Sequence, residues 1–215
     1  GRIVAEASSY PVRSFVMITD EKIVQDAVTY LRLKTPESAP ERFIAQRHAT
    51  VVRTRKKRPR GVRLGEKWIV ARITQGTLVA YEDLTPVFAT LMSPGQGGVP
   101  RAGGDLVRDS TTPLGAYRIT FKDRATMMAP LSTPRKFWAD NVPFTQYFRA
   151  PFAIHGAYWH EKFGEKASAG CINLSPIDAA HLFSWTDPPV PDGWQGVAGA
   201  GAPQNGPASM VVVER

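Results

Sequence analysis

A chain of 215 residues and 23.6 kDa has room for one ordinary domain, or a domain with a small companion, and can bury a sizeable core. With 43% apolar and 21% charged residues it has the balance of a folded globular chain, which excludes whole-chain disorder and collagen-like architecture; no run approaches the roughly 18 apolar residues that a membrane span requires. The net charge of +8 is local, because 41–72 carries eleven Lys and Arg against two acids, densest at Arg53, Arg55, Lys56, Lys57, Arg58 and Arg60.

The first residue is Gly1 rather than Met, which reads as a trimmed or processed product, so the compartment has to come from chemistry. Residues 11–18, rich in Val, Phe and Ile, suit a strand. Asp20 then caps an expected helix running to Leu33, with Val24, Ala27, Val28 and Leu31 at helical spacing and Thr35-Pro36 as its stop. Residues 1–58 are therefore expected to form a small α/β lobe ending in a basic linker. That linker, punctuated by Pro59 and Gly61 and poor in aromatics, reads as a solvated segment or a patch for an acidic wall or membrane surface, and a nucleic-acid partner is not expected. Short β segments follow at 67–74, 77–82, 85–92, 115–122 and 144–155, which makes the domain over 66–215 mainly β. Two long irregular stretches, 93–112 and 123–142, have the length of lids or binding loops. Ser175, Pro176 and Asp178 signal a helix start, and Ala179, Leu182 and Phe183 give that helix one apolar face. The stretch 190–207 reads as a surface loop and 210–213 as an edge strand.

Cys171 is the sole cysteine, which excludes an intrachain disulfide framework and leaves an inert core thiol or a nucleophile. An apolar strand delivers His155 just before Gly156, sixteen positions ahead of Cys171. An imidazole beside a thiol can take its proton, and a backbone carbonyl can hold the ring in the useful tautomer. Gly170 would let a substrate carbonyl approach backbone N–H groups beside Cys171 as an oxyanion hole. A zinc grouping of His155, His160, His181 and Cys171 can also be assembled, although neither H-E-x-x-H nor C-x-x-C spacing is present.

The run His155-Gly156-x-Tyr158-Trp159-His160-x-x-Phe163-Gly164, followed by Ser168-x-Gly170-Cys171-Ile172-Asn173-Leu174-Ser175, resembles the active-site signature of the L,D-transpeptidase catalytic domain family. Trp68-Ile69, Thr77-Leu78 and Thr112-Pro113-Leu114-Gly115-Ala116-Tyr117 are similar to its earlier strands, so the resemblance spans about 66–185. It implies a β-sandwich catalytic domain with a short helix after the cysteine, and a bacterial enzyme acting outside the cytoplasm on peptidoglycan stem peptides. Matched residue by residue, it implies Cys171 as nucleophile, His155 as base and Gly156 as the carbonyl that orients the imidazole. Ser168, Gly170 and Asn173 fall in the shell around the thiol, with Tyr158, Trp159 and His160 as further substrate-binding candidates. One position departs: Ala169 stands where the family usually has His, and His160 is a candidate substitute. Papain-like peptidases place Cys before His, and sortases need an arginine after the cysteine, where only Arg215 follows.

On this resemblance the thiol attacks the diamino acid–D-Ala bond of a tetrapeptide stem, releases D-Ala and passes the acyl group to an amine, giving a 3→3 cross-link. Water as acceptor gives carboxypeptidase activity. No metal or cofactor is expected, because an amide carbonyl needs only a nucleophile, a proton shuttle and charge stabilisation, and carbapenem β-lactams are expected covalent inhibitors. The alternatives are a catalytically silent wall-binding module, or a specialised member that hydrolyses the thioester or attaches another amine to the wall.

Overall fold

The computed structural model describes residues 3, 10–11, 15–129, 138–199 and 207–215. It divides into two compact units, Gly1–Arg53 and Thr54–Arg215.

In the first unit, β1 (Ile18–Gln25), β2 (Val28–Leu33) and β3 (Phe43–Ala45) form an antiparallel sheet in the order 1-2-3, followed by a single 3₁₀ turn, Gln46–His48. The helix expected from Asp20 to Leu33 is instead this β1–β2 hairpin. Its turn residues Asp26 and Ala27 have φ of 51° and 61°, left-handed conformations that reverse the chain and break any helix. The flanking residues Ile18, Thr19, Ile23, Val24, Val28 and Thr29 are β-branched, and on β2 the buried Leu31 and Leu33 alternate with Arg32. The apparent helical spacing of Val24, Ala27, Val28 and Leu31 was therefore coincidental, and the lobe is β rather than α/β in its described residues. Of the strand expected over 11–18, Ile18 alone is in a strand, and 12–14 lie outside the described residues.

Among its described residues the second unit is mainly β with one short helix. Its elements are β4 (Lys67–Arg72), β5 (Thr77–Glu82), β6 (Thr85–Leu91), β7 (Gly115–Arg118), β8 (Phe121–Met128), β9 (Ala139–Arg149), β10 (Phe152–Gly156), β11 (Ile172–Leu174), α1 (Pro176–Trp185), β12 (Gly196–Ala198) and β13 (Met210–Glu214). They make two five-stranded sheets, ordered β6-β5-β4-β13-β7 and β11-β10-β9-β8-β12. Ile69, Ala71, Leu78, Val211 and Val213 of the first sheet share one apolar core with Phe152, Ile154, Ile172 and Leu174 of the second.

Several boundaries moved for identifiable reasons. The strand expected over 115–122 is split between the sheets: Ile119 N–H donates to Ser209 O at 3.1 Å, whereas the next N–H, of Thr120, donates to Tyr147 O at 2.7 Å. The strand expected over 144–155 is a hairpin, β9–β10, reversing at Ala150-Pro151. The irregular stretch expected over 123–142 is largely the β8–β9 hairpin, with 130–137 outside the described residues. Residues 210–213 belong to β13, which lies between β4 and β7 and is not an edge. The basic run is no free linker from Arg55 onward: Arg55 donates its N–H to Tyr81 Oη at 3.0 Å and pairs with Glu214, and Arg58 pairs with Asp83. Lys56, Lys57 and Arg60 remain exposed.

The helix forms as the capping signal dictates. Ser175 Oγ accepts the Asp178 N–H at 3.2 Å and donates to Asp178 Oδ2 at 2.8 Å, Pro176 opens the first turn, and Ala179, Leu182 and Phe183 are buried. A buried lysine holds its far end. Lys122 Nζ donates to the carbonyls of Phe183, Thr186 and Pro188 at 2.6, 2.7 and 2.9 Å and lies 4.6 Å from the Phe183 ring centroid. Burial lowers its pKa to about 7, while Asp187 pulls the other way; three acceptors matched to the three N–H donors of an ammonium keep the contact intact. The lysine ties the end of the helix to β8, while the helix packs on β9, β10 and β11, the strands that carry the site.

Candidate active site

Parallel pairing of β10 with β11 sets the geometry. Ile154 pairs with Ile172, His155 with Asn173 and Gly156 with Leu174, so Cys171, one step before β11, is level with Ala153. The sixteen-residue gap between His155 and Cys171 thus closes into adjacent strands. Burial of Ile154, Ile172 and Leu174 on the core side fixes that register, because a one-residue slip would turn these apolar side chains out and His155 in.

His155 is buried, and its Nδ1 lies 3.1 Å from the Gly156 carbonyl oxygen. A carbonyl only accepts, so Nδ1 carries the proton and Nε2 keeps its lone pair as the basic nitrogen. Desolvation pushes the imidazole down to about 4, against the Gly156 carbonyl, which favours the cation, and with His160, which opposes it. Burial pushes the Cys171 thiol up to about 11, with the Ala153 N–H favouring the thiolate. The pair therefore rests as neutral thiol and neutral imidazole. In that state the sulfur reaches Pro151 O at 4.0 Å.

The residues before the thiol are held tightly. Gly170 has φ of 127°, and a Cβ there would lie 2.6 Å from Phe152 Cε1 and 3.2 Å from Thr111 O, so both backbone and packing demand glycine. In the direction a Cβ would take, the Phe152 ring fills the space beside Gly170. Its N–H is also engaged, donating to Ser168 Oγ at 3.0 Å, while Ser168 Oγ donates to Cys171 O at 2.5 Å. Ser168 thus bridges the turn that presents the thiol.

The stretch 93–112 braces this turn and is not a lid. Ser168 O accepts the Gln96 N–H at 2.8 Å, the N–H groups of Ala167 and Ser168 both donate to Pro94 O at 3.1 Å, and Ser93 exchanges two 2.9 Å backbone bonds with Asn173. Gly95 and Gly97 let the stretch fold back on itself, since a Cβ would come within 2.2 Å of Ser110 O and 2.1 Å of Asp109 O respectively.

Asn173 is buried beside His155, and its side-chain amide meets His160 Nε2 at 3.1 Å. Tyr158 and Trp159 are exposed, 57% and 46%, and form an edge-to-face pair with centroids 4.9 Å apart. Trp159 lies 5.9 Å from the His155 ring, and Tyr158 Oη donates to Asp140 O at 2.7 Å, tying the segment after β10 to the β8–β9 hairpin. Ala169 is exposed. The zinc grouping is not assembled: His181 packs on Phe88 at 4.6 Å, and no cluster of three or more His, Cys, Asp or Glu able to hold a metal occurs among the described residues.

Tyr147 escaped the sequence reading. It pairs with Ala153 across β9–β10, and desolvation raises the pKa of its phenol, with the hydrogen bond to Thr126 opposing this and Asp123, and Cys171 when ionised, adding to it. Its place depends on the hairpin register, which no short-range spacing encodes.

A family model described as the L,D-transpeptidase catalytic domain (YkuD) matches residues 66–203. Among solved structures, the chain is similar to an L,D-transpeptidase from Mycobacterium smegmatis, with 21% identity, a TM-score of 0.50, and coverage of 70% of this chain and 59% of that one. It is also similar to an L,D-transpeptidase in complex with imipenem, with 17% identity, a TM-score of 0.51, and coverage of 87% and 68%. At these identities the likeness is one of fold, and the chain spans 59% of the length of the Mycobacterium smegmatis protein. No curated protein sequence matches it.

Proposed function

From a chain that belongs to the L,D-transpeptidase catalytic domain family over residues 66–203, we propose a cysteine acyltransferase of peptidoglycan stem peptides that works outside the cytoplasm. The observation that carries this reading is the adjacency of β10 and β11, with His155 Nδ1 bound to the Gly156 carbonyl and Cys171 at the mouth of β11.

In the proposed reaction Cys171 Sγ attacks the carbonyl carbon between a diamino acid and the terminal D-Ala of a tetrapeptide stem. Its proton passes to His155 Nε2. Because the resting pair is neutral, proton transfer accompanies attack instead of preceding it. The Cys171 N–H is the proposed donor to the tetrahedral oxyanion, since the Gly170 N–H is committed to Ser168. Collapse breaks the C–N bond, His155 returns its proton to the departing amine, and D-Ala leaves a thioester. A stem amine then attacks the thioester, giving its proton to His155, which restores the thiol; the product is a 3→3 cross-link. Water in place of the amine gives a carboxypeptidase.

Tyr158 and Trp159 supply an exposed aromatic surface beside His155 suited to the acyl donor. β-lactams of the imipenem class are proposed to acylate Cys171, as the imipenem complex of a structural neighbour suggests. The exposed Lys56, Lys57 and Arg60 are proposed to attract an anionic wall, and binding to isolated sacculi should weaken with salt. The test of the main reading is product analysis with a disaccharide-tetrapeptide. Release of D-Ala together with a 3→3 dimer is expected; D-Ala without dimer points to water or another acceptor, and neither product overturns the reading.

A further inference from the structure

His160 sits in a closed hydrogen-bonded circuit that the reaction above leaves unused. Ser93 Oγ donates to Lys162 O at 2.6 Å, and the Lys162 N–H donates to His160 Nδ1 at 3.1 Å. His160 Nε2 meets the Asn173 amide at 3.1 Å, and the Asn173 backbone returns to Ser93 through the paired 2.9 Å bonds. The circuit fixes the tautomer. A backbone N–H only donates, so Nδ1 must hold a lone pair; a ring accepting at Nε2 as well would be an imidazolate. Nε2 therefore carries the proton, and the atom of Asn173 that faces it is the amide oxygen. Desolvation, which lowers the His160 pKa, keeps the ring in this neutral form, with Glu161 opposing and Lys162 assisting.

This reverses the amide from the placement in which Nδ2 faces His160, and it puts the amino group in the buried position of Oδ1, to which no protein donor is bonded. An amide donor in a buried position gains from an incoming acceptor, because its N–H has lost water as a partner. Asn173 is opposite His155 in the ladder and two residues after Cys171. We propose that His160 is a positioning residue which, by locking the Asn173 amide, directs an N–H donor at an oxygen of the acyl donor, either the carbonyl next to the scissile bond or the terminal carboxylate. This inference rests on the acyl-transfer reading for the nature of the substrate, and it gives the imidazole of His160 a task that needs no side chain at Ala169.

Three measurements test it. Nitrogen-15 NMR of the histidine rings should show His160 as the Nε2–H tautomer, and an Nδ1–H tautomer would overturn the proposal. Acylation kinetics should show a loss of about tenfold in kcat/KM for His160→Phe, carried mainly by KM, with most of it recovered in His160→Gln, whose amide can accept from Lys162 and donate to Asn173. On a tetrapeptide with its C-terminal carboxylate converted to an amide, the penalty should vanish if the contact is to the carboxylate and persist if it is to the carbonyl. Equal kcat/KM for wild type and His160→Phe on both peptides overturns it. In Cys171→Ala, the Asn173 side-chain NH₂ resonance should move on titration with the tetrapeptide. If His155 signals move and Asn173 does not, this proposal fails alone. If no resonance moves, the acyl-transfer reading fails and takes the proposal with it.

Discussion

Two segments border the site. Residues 157–170 are threaded with hydrogen bonds to Ser93, Pro94 and Gln96 and bear a glycine that admits no side chain, whereas the β8–β9 hairpin carries exposed Met127 and Trp138 and meets that segment through the Tyr158–Asp140 bond. Chemistry that depends on tenths of an ångström sits on the braced side. In the proposed reaction the hairpin's exposed apolar area would serve the choice of acyl acceptor. Substitutions that disturb the braced backbone should therefore remove turnover, and those that disturb the hairpin or its tie through Tyr158 should redistribute products.

The sharpest way to break this contrast is His155→Gln. Acylation is expected to fall by at least roughly a thousandfold with the fold retained, and a variant within tenfold of wild type would remove His155 from the reaction. The same residue governs acid stability. The unfolded chain takes up its proton near pH 6.5 and the folded protein near 4, so on acidification across that interval folding should lose on the order of 3 kcal/mol. Denaturant melts at pH 7 and pH 4 should show this loss in wild type and its disappearance in His155→Gln. Gly170→Ala comes next, with an expected loss of about 1–3 kcal/mol in stability and up to roughly a hundredfold in rate as the thiol shifts. Tyr158→Phe should change the ratio of transfer to hydrolysis a few-fold with little effect on acylation, as product quantitation would reveal. Ser175→Ala should cost about 1 kcal/mol of stability through the lost helix cap and leave kinetics unchanged.

How far the sequence reached varied with the range of the interactions involved. The 155–175 segment was legible because its glycine, thiol, imidazole and cap residues are constrained within a few positions of each other, and α1 followed from Ser175, Pro176 and Asp178 alone. Strand β5 was read at its observed ends, Thr77–Glu82, because it is apolar and bounded by turn residues. The β1–β2 hairpin was missed where β-branched residues happened to fall at helical spacing. Asp123 and Arg124 hid the rest of β8, since an arginine that donates to the carbonyls of Trp194, Val190 and Pro191 looks solvent-facing in a string of letters. The central place of β13, the sheet change at Ile119-Thr120 and the approach of Tyr147 to the thiol depend on partners far away in the chain. The His160–Asn173 contact belongs with these, although both residues were singled out.

The central claim is that Cys171, with His155 as its base, forms the acyl-enzyme. Intact-protein mass spectrometry of wild type and Cys171→Ala after brief exposure to a disaccharide-tetrapeptide, with the modified peptide mapped, tests it most directly. An adduct lacking the D-Ala mass, on Cys171 of wild type alone, is the expected result. An adduct on the alanine variant, or none on folded wild type with either the peptide or imipenem, would contradict it and favour a wall-binding module that keeps the fold without the reaction.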